Sequence, residues 1–283
     1  MTASILVTGA TGKTGAELIT LLERAEVPFS GGVRQIDPDR GYPQVEFDWQ
    51  RPETWAQALM GVESLYLVKP HHDAVAAFGE LLASAPYLRR VVLLSELGRE
   101  AKPDADPERA IELVVENGAS AWTILRPSWF FQNFNGAGGF GESIRTSGEL
   151  RLPIGDGRLS LIDTRDVAEA AFVALTTDDH AGSGLDLTGP QAFTMSEVAE
   201  AISGATGRDV VHRDSALAAY RSELVDAGSD VYVVDYLMDL MTDARNDRYA
   251  GITHDLEKVT GRPPRTLADF VAENVDYWSG GPA

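Results

Sequence analysis

Cysteine is absent from the 283-residue chain. Disulfides, thiolate nucleophiles and Cys-ligated metals are therefore excluded. Lysine is scarce, confined to Lys13, Lys69, Lys102 and Lys258, so most positive charge is arginine. Positive charge as a whole is in deficit: 24 Lys and Arg stand against 43 Asp and Glu, a formal net charge of −19. A surface for nucleic acid or for an anionic membrane needs a basic patch, so neither partner is expected. No apolar run approaches the roughly 18–20 residues that span a bilayer. The chain enters a strand almost at once, which leaves no signal peptide and implies a cytoplasmic location. His71 and His72 point apart in extended chain and have no third ligand at metal spacing, so no metal site is expected. What remains is a globular composition, 44% hydrophobic, long enough for one or two domains.

The organising stretch is 4–15. Ile5-Leu6-Val7 is a short apolar run of the kind a buried parallel strand needs. Gly9, Gly12 and Gly15 follow at three-residue spacing. Beyond them Leu18, Ile19 and Leu22 share one stripe of a helix. Strand, glycine turn and helix form a dinucleotide-binding unit, in which free N–H groups and the helix dipole face a pyrophosphate. Gly9 turns the chain, Gly12 admits the phosphates and Gly15 lets the helix lie close to the sheet. Thr11, Lys13 and Thr14 complete the cofactor-facing turn. Gly12-Lys13-Thr14 also resembles the end of a P-loop, but that motif requires glycine at position 7, which is Val7.

A second strand ends at Val33 and is followed by Arg34. An NAD-selective site places a carboxylate here to hold ribose hydroxyls. A guanidinium forks onto a phosphate instead, so Arg34 points to the 2′-phosphate of NADP(H). After a third strand, Asp48 and Trp49 are expected beside the adenine. The fourth strand, 64–68, ends in Lys69-Pro70-His71-His72. Ligands sit beyond the carboxyl ends of parallel strands, so Lys69 and His71 are candidates for contact with cofactor or substrate.

The fifth strand, 90–94, ends at Ser95, where a short-chain reductase keeps an active-site serine. The usual Tyr-x-x-x-Lys pair is missing, since no tyrosine lies between Tyr87 and Tyr220. The helix that would carry it offers Glu108 and Glu112, four residues apart, which read as solvated carboxylates. A sixth strand, 122–125, leads through Pro127, a further candidate cofactor contact, into Trp129-Phe130-Phe131-Gln132-Asn133. Trp129, Phe130 and Asn133 are expected to shape a substrate pocket. Asp163 and Asp166 read as caps of a following helix. Thr194 and Glu197 form a capping box, and Thr266 opens a last helix.

These residues together resemble the NmrA-like family of atypical short-chain dehydrogenase/reductase-like proteins. The carriers are Thr8 to Gly15, Val33-Arg34, Thr123-Ile124-Leu125-Arg126-Pro127, Asn133, Ile162-Asp163 with Asp166-Val167-Ala168, Leu187-Thr188-Gly189-Pro190, and Thr260-Gly261-Arg262-Pro263-Pro264. Ser95-Glu96-Leu97-Gly98 is also similar to the Ser-Glu-Phe-Gly of isoflavone-type reductases, whose catalytic lysine has no counterpart here. The resemblance implies an α/β fold, a Rossmann-like doubly wound parallel sheet with a smaller, mostly helical C-terminal part. Residues 1–132 and 158–180 would bind NADP(H). Residues 133–157 and 181–283 would bind substrate, with Tyr232 and Tyr236 on its wall.

The activity expected is NADPH-dependent reduction of a small aromatic or conjugated electrophile: a quinone, an enone, an iminium ion or a cationic dye. Such acceptors take hydride without the missing Tyr and Lys, given alignment and exclusion of water. Ser95, Lys69 and His71 are the candidate catalytic contacts. Two other readings fit an open dinucleotide cleft: a non-catalytic NADP(H)-binding redox sensor acting through a protein partner, and a non-redox cyclase or isomerase. The chain is expected as a monomer or homodimer.

Overall fold

The computed structural model describes residues 5–70, 74–136 and 140–280. The chain opens with β1 (Ile5–Val7), α1 (Lys13–Arg24), β2 (Phe29–Val33), β3 (Gln44–Glu46), α2 (Trp55–Ala58), β4 (Ser64–Val68), α3 (Val75–Ser84), β5 (Arg90–Leu94), α4 (Pro107–Gly118) and β6 (Trp122–Pro127). It continues through α5 (Gly141–Ser147), β7 (Glu149–Arg151), α6 (Thr164–Thr176) and β8 (Ser183–Leu187). It closes with α7 (Met195–Thr206), β9 (Val211–Arg213), α8 (Leu217–Asp226), α9 (Val231–Arg245), α10 (Asp255–Thr260) and α11 (Leu267–Ser279).

Seven strands form one sheet in the order β3-β2-β1-β4-β5-β6-β8. Every pairing in it is parallel. This is the Rossmann-like doubly wound sheet, and its order reverses between β1 and β4, where such sheets receive ligands. The apolar strands follow from this topology. Ile5, Leu6 and Val7 are all buried, as are Leu65, Tyr66 and Leu67, because helices cover both faces. One core cluster joins Leu6, Leu65, Leu67, Val91, Leu93 and Ile124 of the strands to Phe78 and Leu81 of α3 and Ile111 and Val115 of α4.

The chain divides into two compact units. The first comprises residues 1–127, 164–187 and 255–262; the second comprises 128–163, 188–254 and 263–283. This moves the boundaries expected from sequence. Residues 181–187 and 255–262, assigned there to the smaller part, belong to the first unit, and residues 128–132 and 158–163, assigned there to the cofactor part, belong to the second. The reason is pairing: β8 extends the sheet beside β6, and the main-chain N–H of Asp186 donates to Asp255 at the head of α10. Asp166 of α6 is fully buried and paired with Arg262 at 2.7 Å, so it anchors the chain after α10 beyond sitting in a first helical turn.

The second unit is mostly helical, with a two-stranded parallel pair of β7 and β9. Phe131 stacks on Phe270 at 5.2 Å, and Phe270 meets Trp278 edge-on. The Trp278 indole N–H donates to the carbonyl of Phe134 at 2.7 Å. The expected capping box forms at α7, and α11 opens with a second. The Thr194 hydroxyl accepts from the Glu197 N–H, and Thr266 from Asp269, each with the reciprocal bond.

Candidate active site

The glycine turn is built around one backbone oxygen. Gly9 has φ +62°, a region that L side chains disfavour, and its carbonyl accepts the Gly12 N–H at 2.8 Å. A Cβ at Gly15 would stand 2.2 Å from that same oxygen. Gly15 is therefore required by the turn's own backbone, where the sequence suggested contact with the sheet. Gly12 is the N-cap of α1 and supplies no side-chain hydrogen bond, and the first turn of α1 holds no acidic residue. The first N–H groups of this 12-residue helix thus face no capping side chain, and Thr11, Gly12 and Lys13 are exposed. An anion is the complement of such an end.

Thr14 is different. It is buried, and its hydroxyl accepts from the Tyr66 phenol at 2.9 Å, so only its backbone faces the turn. Burial pushes the Tyr66 phenol well above its ordinary value. Thr8 ties the turn to the next strand: its hydroxyl donates to the Tyr66 carbonyl at 2.9 Å and accepts from the Val68 N–H at 2.8 Å.

A cavity of about 410 Å³ lies beside the turn, lined by Thr11, by Val33 at the end of β2, and by Gln35, Ile36, Asp37, Pro38 and Arg40 after it. Arg34 is exposed and carries no hydrogen bond or ion pair among the described residues. Arg40, which sequence reasoning did not single out, lines this cavity and pairs with Asp37 at 3.3 Å.

Asp48 and Trp49, the expected adenine contacts, are both half-buried and tied into this part of the first unit. The Trp49 ring stacks on Phe78 at 4.6 Å, meets Phe47 and Trp55 edge-on, and donates its indole N–H to the Val68 carbonyl. The Asp48 carboxylate accepts the Gln50 N–H at 2.9 Å, and its own N–H donates to Thr54. Their side chains build this corner of the first unit, since the large aromatic surface gains most by joining the core.

Lys69 follows β4. Its ammonium lies 2.5 Å from Glu108 and 3.4 Å from Glu96, so two carboxylates already neutralise it. Glu96 in turn pairs with Arg99, and Arg99 with Asp106, the residue that caps α4. His71 and His72 lie outside the described residues.

Ser95 stands one residue beyond β5, its N–H donating to the Leu125 carbonyl at 2.8 Å. Its hydroxyl donates to Glu112 at 2.6 Å. Glu112 is fully buried, which corrects the reading of it as solvated; Glu108 is buried too. Arg126 grips Glu112 through two bonds of 2.9 Å, and Arg109 adds a third at 2.7 Å. Burial acts to raise the Glu112 carboxyl, but the bonds from Arg126 and Ser95 prevail and hold it below its ordinary 4.5. Asp186 lies 3.9 Å from Arg126, and burial with nearby Glu100 pushes its carboxyl up to about 6. One signal for this cluster was present in the sequence: Arg126 sits inside an apolar strand, and a buried guanidinium demands a carboxylate.

Pro127 is buried, and its carbonyl accepts the Leu97 N–H at 3.0 Å. In the second unit, Trp129, Phe130 and Asn133 are half-buried, while Phe131 and Phe134 fill the core. Trp129 lies against Tyr249 at 6.4 Å. Tyr232 and Tyr236 share one face of α9, Tyr232 exposed and Tyr236 half-buried.

No protein-family model matches the chain. It is 34% identical over 277 residues to the NAD(P)H azoreductase of Xenophilus azovorans, covering 94% of this chain and 96% of that one. The chain belongs to the NmrA-like family of atypical short-chain dehydrogenase/reductases. It is an NAD(P)H-dependent oxidoreductase. It is also 30% identical over 288 residues to agroclavine dehydrogenase of Claviceps fusiformis, covering 97% and 98% of the two chains. Its fold matches the Citrobacter sp. triphenylmethane reductase complexed with NADP(H), with a TM-score of 0.79 and 23% identity over 95% of this chain and 99% of that one. Among the described residues of this family member, no helix is long and apolar enough to cross a membrane.

Proposed function

We propose that this chain reduces small aromatic or conjugated electrophiles, namely quinones, enones, iminium ions and azo or cationic dyes, with NADPH as donor. The observation that carries this reading is α4. Where a ketone reductase needs a tyrosine and a lysine, α4 presents Glu108 and Glu112 locked into ion pairs with Lys69, Arg126 and Arg109. Among the described residues α4 offers no tyrosine and lysine pair at this place, which favours an acceptor that needs little activation. The names of the azoreductase and the agroclavine dehydrogenase relatives support the same class.

The chain fits the cofactor. The uncapped N-terminus of α1, with exposed Gly12 and Lys13, holds the pyrophosphate. Arg34, exposed and without a partner among the described residues, takes the 2′-phosphate; its neighbours Val33 and Gln35 line the cavity with Thr11 and Arg40. When bound, NADPH supplies the hydride. In this reading the first unit is the cofactor part; the expected substrate contacts Trp129, Phe130, Asn133, Tyr232 and Tyr236 belong to the second. Aromatic faces suit planar, conjugated substrates. The reading includes a cytoplasmic location, as expected from the sequence.

The test is NADPH oxidation by the purified protein against a panel of those acceptors, with NADH run in parallel. Turnover with NADPH preferred is the expected result. Tight NADP(H) binding without turnover of any acceptor class would overturn the reading in favour of a sensor.

A further inference from the structure

Ser95 occupies the place of an active-site serine, and its single proton is already committed. A serine hydroxyl has one O–H and two lone pairs. The Ser95 O–H donates to Glu112 Oε1 at 2.6 Å. That oxygen also accepts from Arg126 Nε at 2.9 Å, while Oε2 accepts from Arg126 Nη2 at 2.9 Å and Arg109 Nη1 at 2.7 Å. A carboxylate has about four lone-pair positions, and all are filled. Turning the Ser95 proton outward would leave one of them empty in a fully buried site. Two guanidinium groups keep the carboxylate ionised, so it has no proton of its own to offer. Ser95 itself is half-buried, and among the described residues its Oγ has no second partner.

We infer that Glu112 is a positioning residue that fixes Ser95 as a hydrogen-bond acceptor, so that Ser95 receives an N–H or O–H donor from the bound cofactor's carboxamide or from the substrate. This rests on the reading of the first unit as the NADPH site. The serine orients a donor and hands over no proton, the reverse of the role its position suggests. Ser95 therefore donates no hydrogen bond to a quinone oxygen, whereas a carboxamide NH₂, a phenol or an amine can donate one to Ser95 Oγ.

Two matched pairs test this. The first is NADP⁺ against its 3-acetylpyridine analogue, in which a methyl replaces the carboxamide NH₂; affinities are read by calorimetry without turnover. The second is a hydroxyl-bearing quinone against its methyl ether, read as kcat/KM. The wild-type protein should favour the donor-bearing member of one pair by about five-fold, the worth of one such bond. Preference in the first pair assigns the donor to the cofactor, and in the second to the substrate. Ser95→Ala should bring the two members of that pair level. In Glu112→Gln the amide NH₂ is best tolerated at Oε1, beside one guanidinium nitrogen instead of two. It then donates to Ser95 Oγ and turns the hydroxyl proton outward, so the order of preference should reverse. A structural role alone would weaken both members equally. If Glu112→Gln does not fold, as judged by circular dichroism, the wild-type and Ser95→Ala comparison decides. No preference in either wild-type pair, or a preference that survives Ser95→Ala, would overturn the inference. Failure to bind NADP⁺ at all would instead remove the functional reading beneath it.

Discussion

Arg126 carries a full charge into the strand between Leu125 and Pro127, and Glu112 is what makes that tolerable. Glu112→Ala would strand the guanidinium and is expected to cost about 3–5 kcal/mol in urea unfolding near neutral pH. Glu112 sits below its ordinary 4.5 in the fold, so its contribution is complete above 4.5 and fades as pH falls through the folded value. Asp186 has the opposite sign. Its carboxyl is raised from 3.8 to about 6, so the folded state takes up the proton first and stability falls as pH rises across that window. Asp186→Asn should therefore stabilise the protein by up to about 3 kcal/mol at pH 7.5 and by little below pH 4, measured by urea unfolding at both. Arg34→Ala should lower kcat/KM for NADPH about ten-fold and leave NADH unchanged, because one charge-assisted bond to phosphate is lost. Equal loss with both cofactors would remove Arg34 from the 2′-phosphate. The positions of Ser95 and Arg34 were legible because each directly follows a strand. Glu108 and Glu112 were misread because Lys69, just after β4, and Arg126, in β6, lie outside α4; the clues were Arg126 inside an apolar run and Arg109 three residues before Glu112.

Among elements, the ones with a local physical signature were the ones that could be read. Strands 64–68 and 90–94 are apolar runs, and their bounds came directly from composition. The β8 segment, Ser-Gly-Leu-Asp-Leu, alternates and contains a glycine because it is the sheet's edge, and so it escaped notice. The three-residue strands β7 and β9 and the six-residue α10 are too short for any periodicity. Caps were readable because four residues suffice to form them. Thr194→Ala and Thr266→Ala should each cost about 1 kcal/mol in urea unfolding, the usual value of a threonine cap. Gly15→Ala is a harsher change to α1. The added methyl meets the Gly9 oxygen at 2.2 Å, so the turn must open. NADPH affinity is expected to fall at least ten-fold by calorimetry, since the N–H groups that face the pyrophosphate move with it.

For the molecule as a whole, the charge of −19 is spread over a chain that binds an anionic cofactor. Self-repulsion of this size weakens with added salt, so the Tm should rise between 20 and 200 mM NaCl, the range over which the Debye length shortens most usefully. The connectivity has a separate consequence. The first unit is completed only by residues 255–262, after two excursions of the chain into the second. During synthesis the growing polypeptide must therefore wait until Arg262 has left the ribosome before the sheet and α6 have all their partners. Until then Asp166 lacks its arginine, and the edge of β6 stays open until β8 emerges. A nascent chain in that condition is a natural client for chaperones, and neither unit can be expressed as a contiguous fragment.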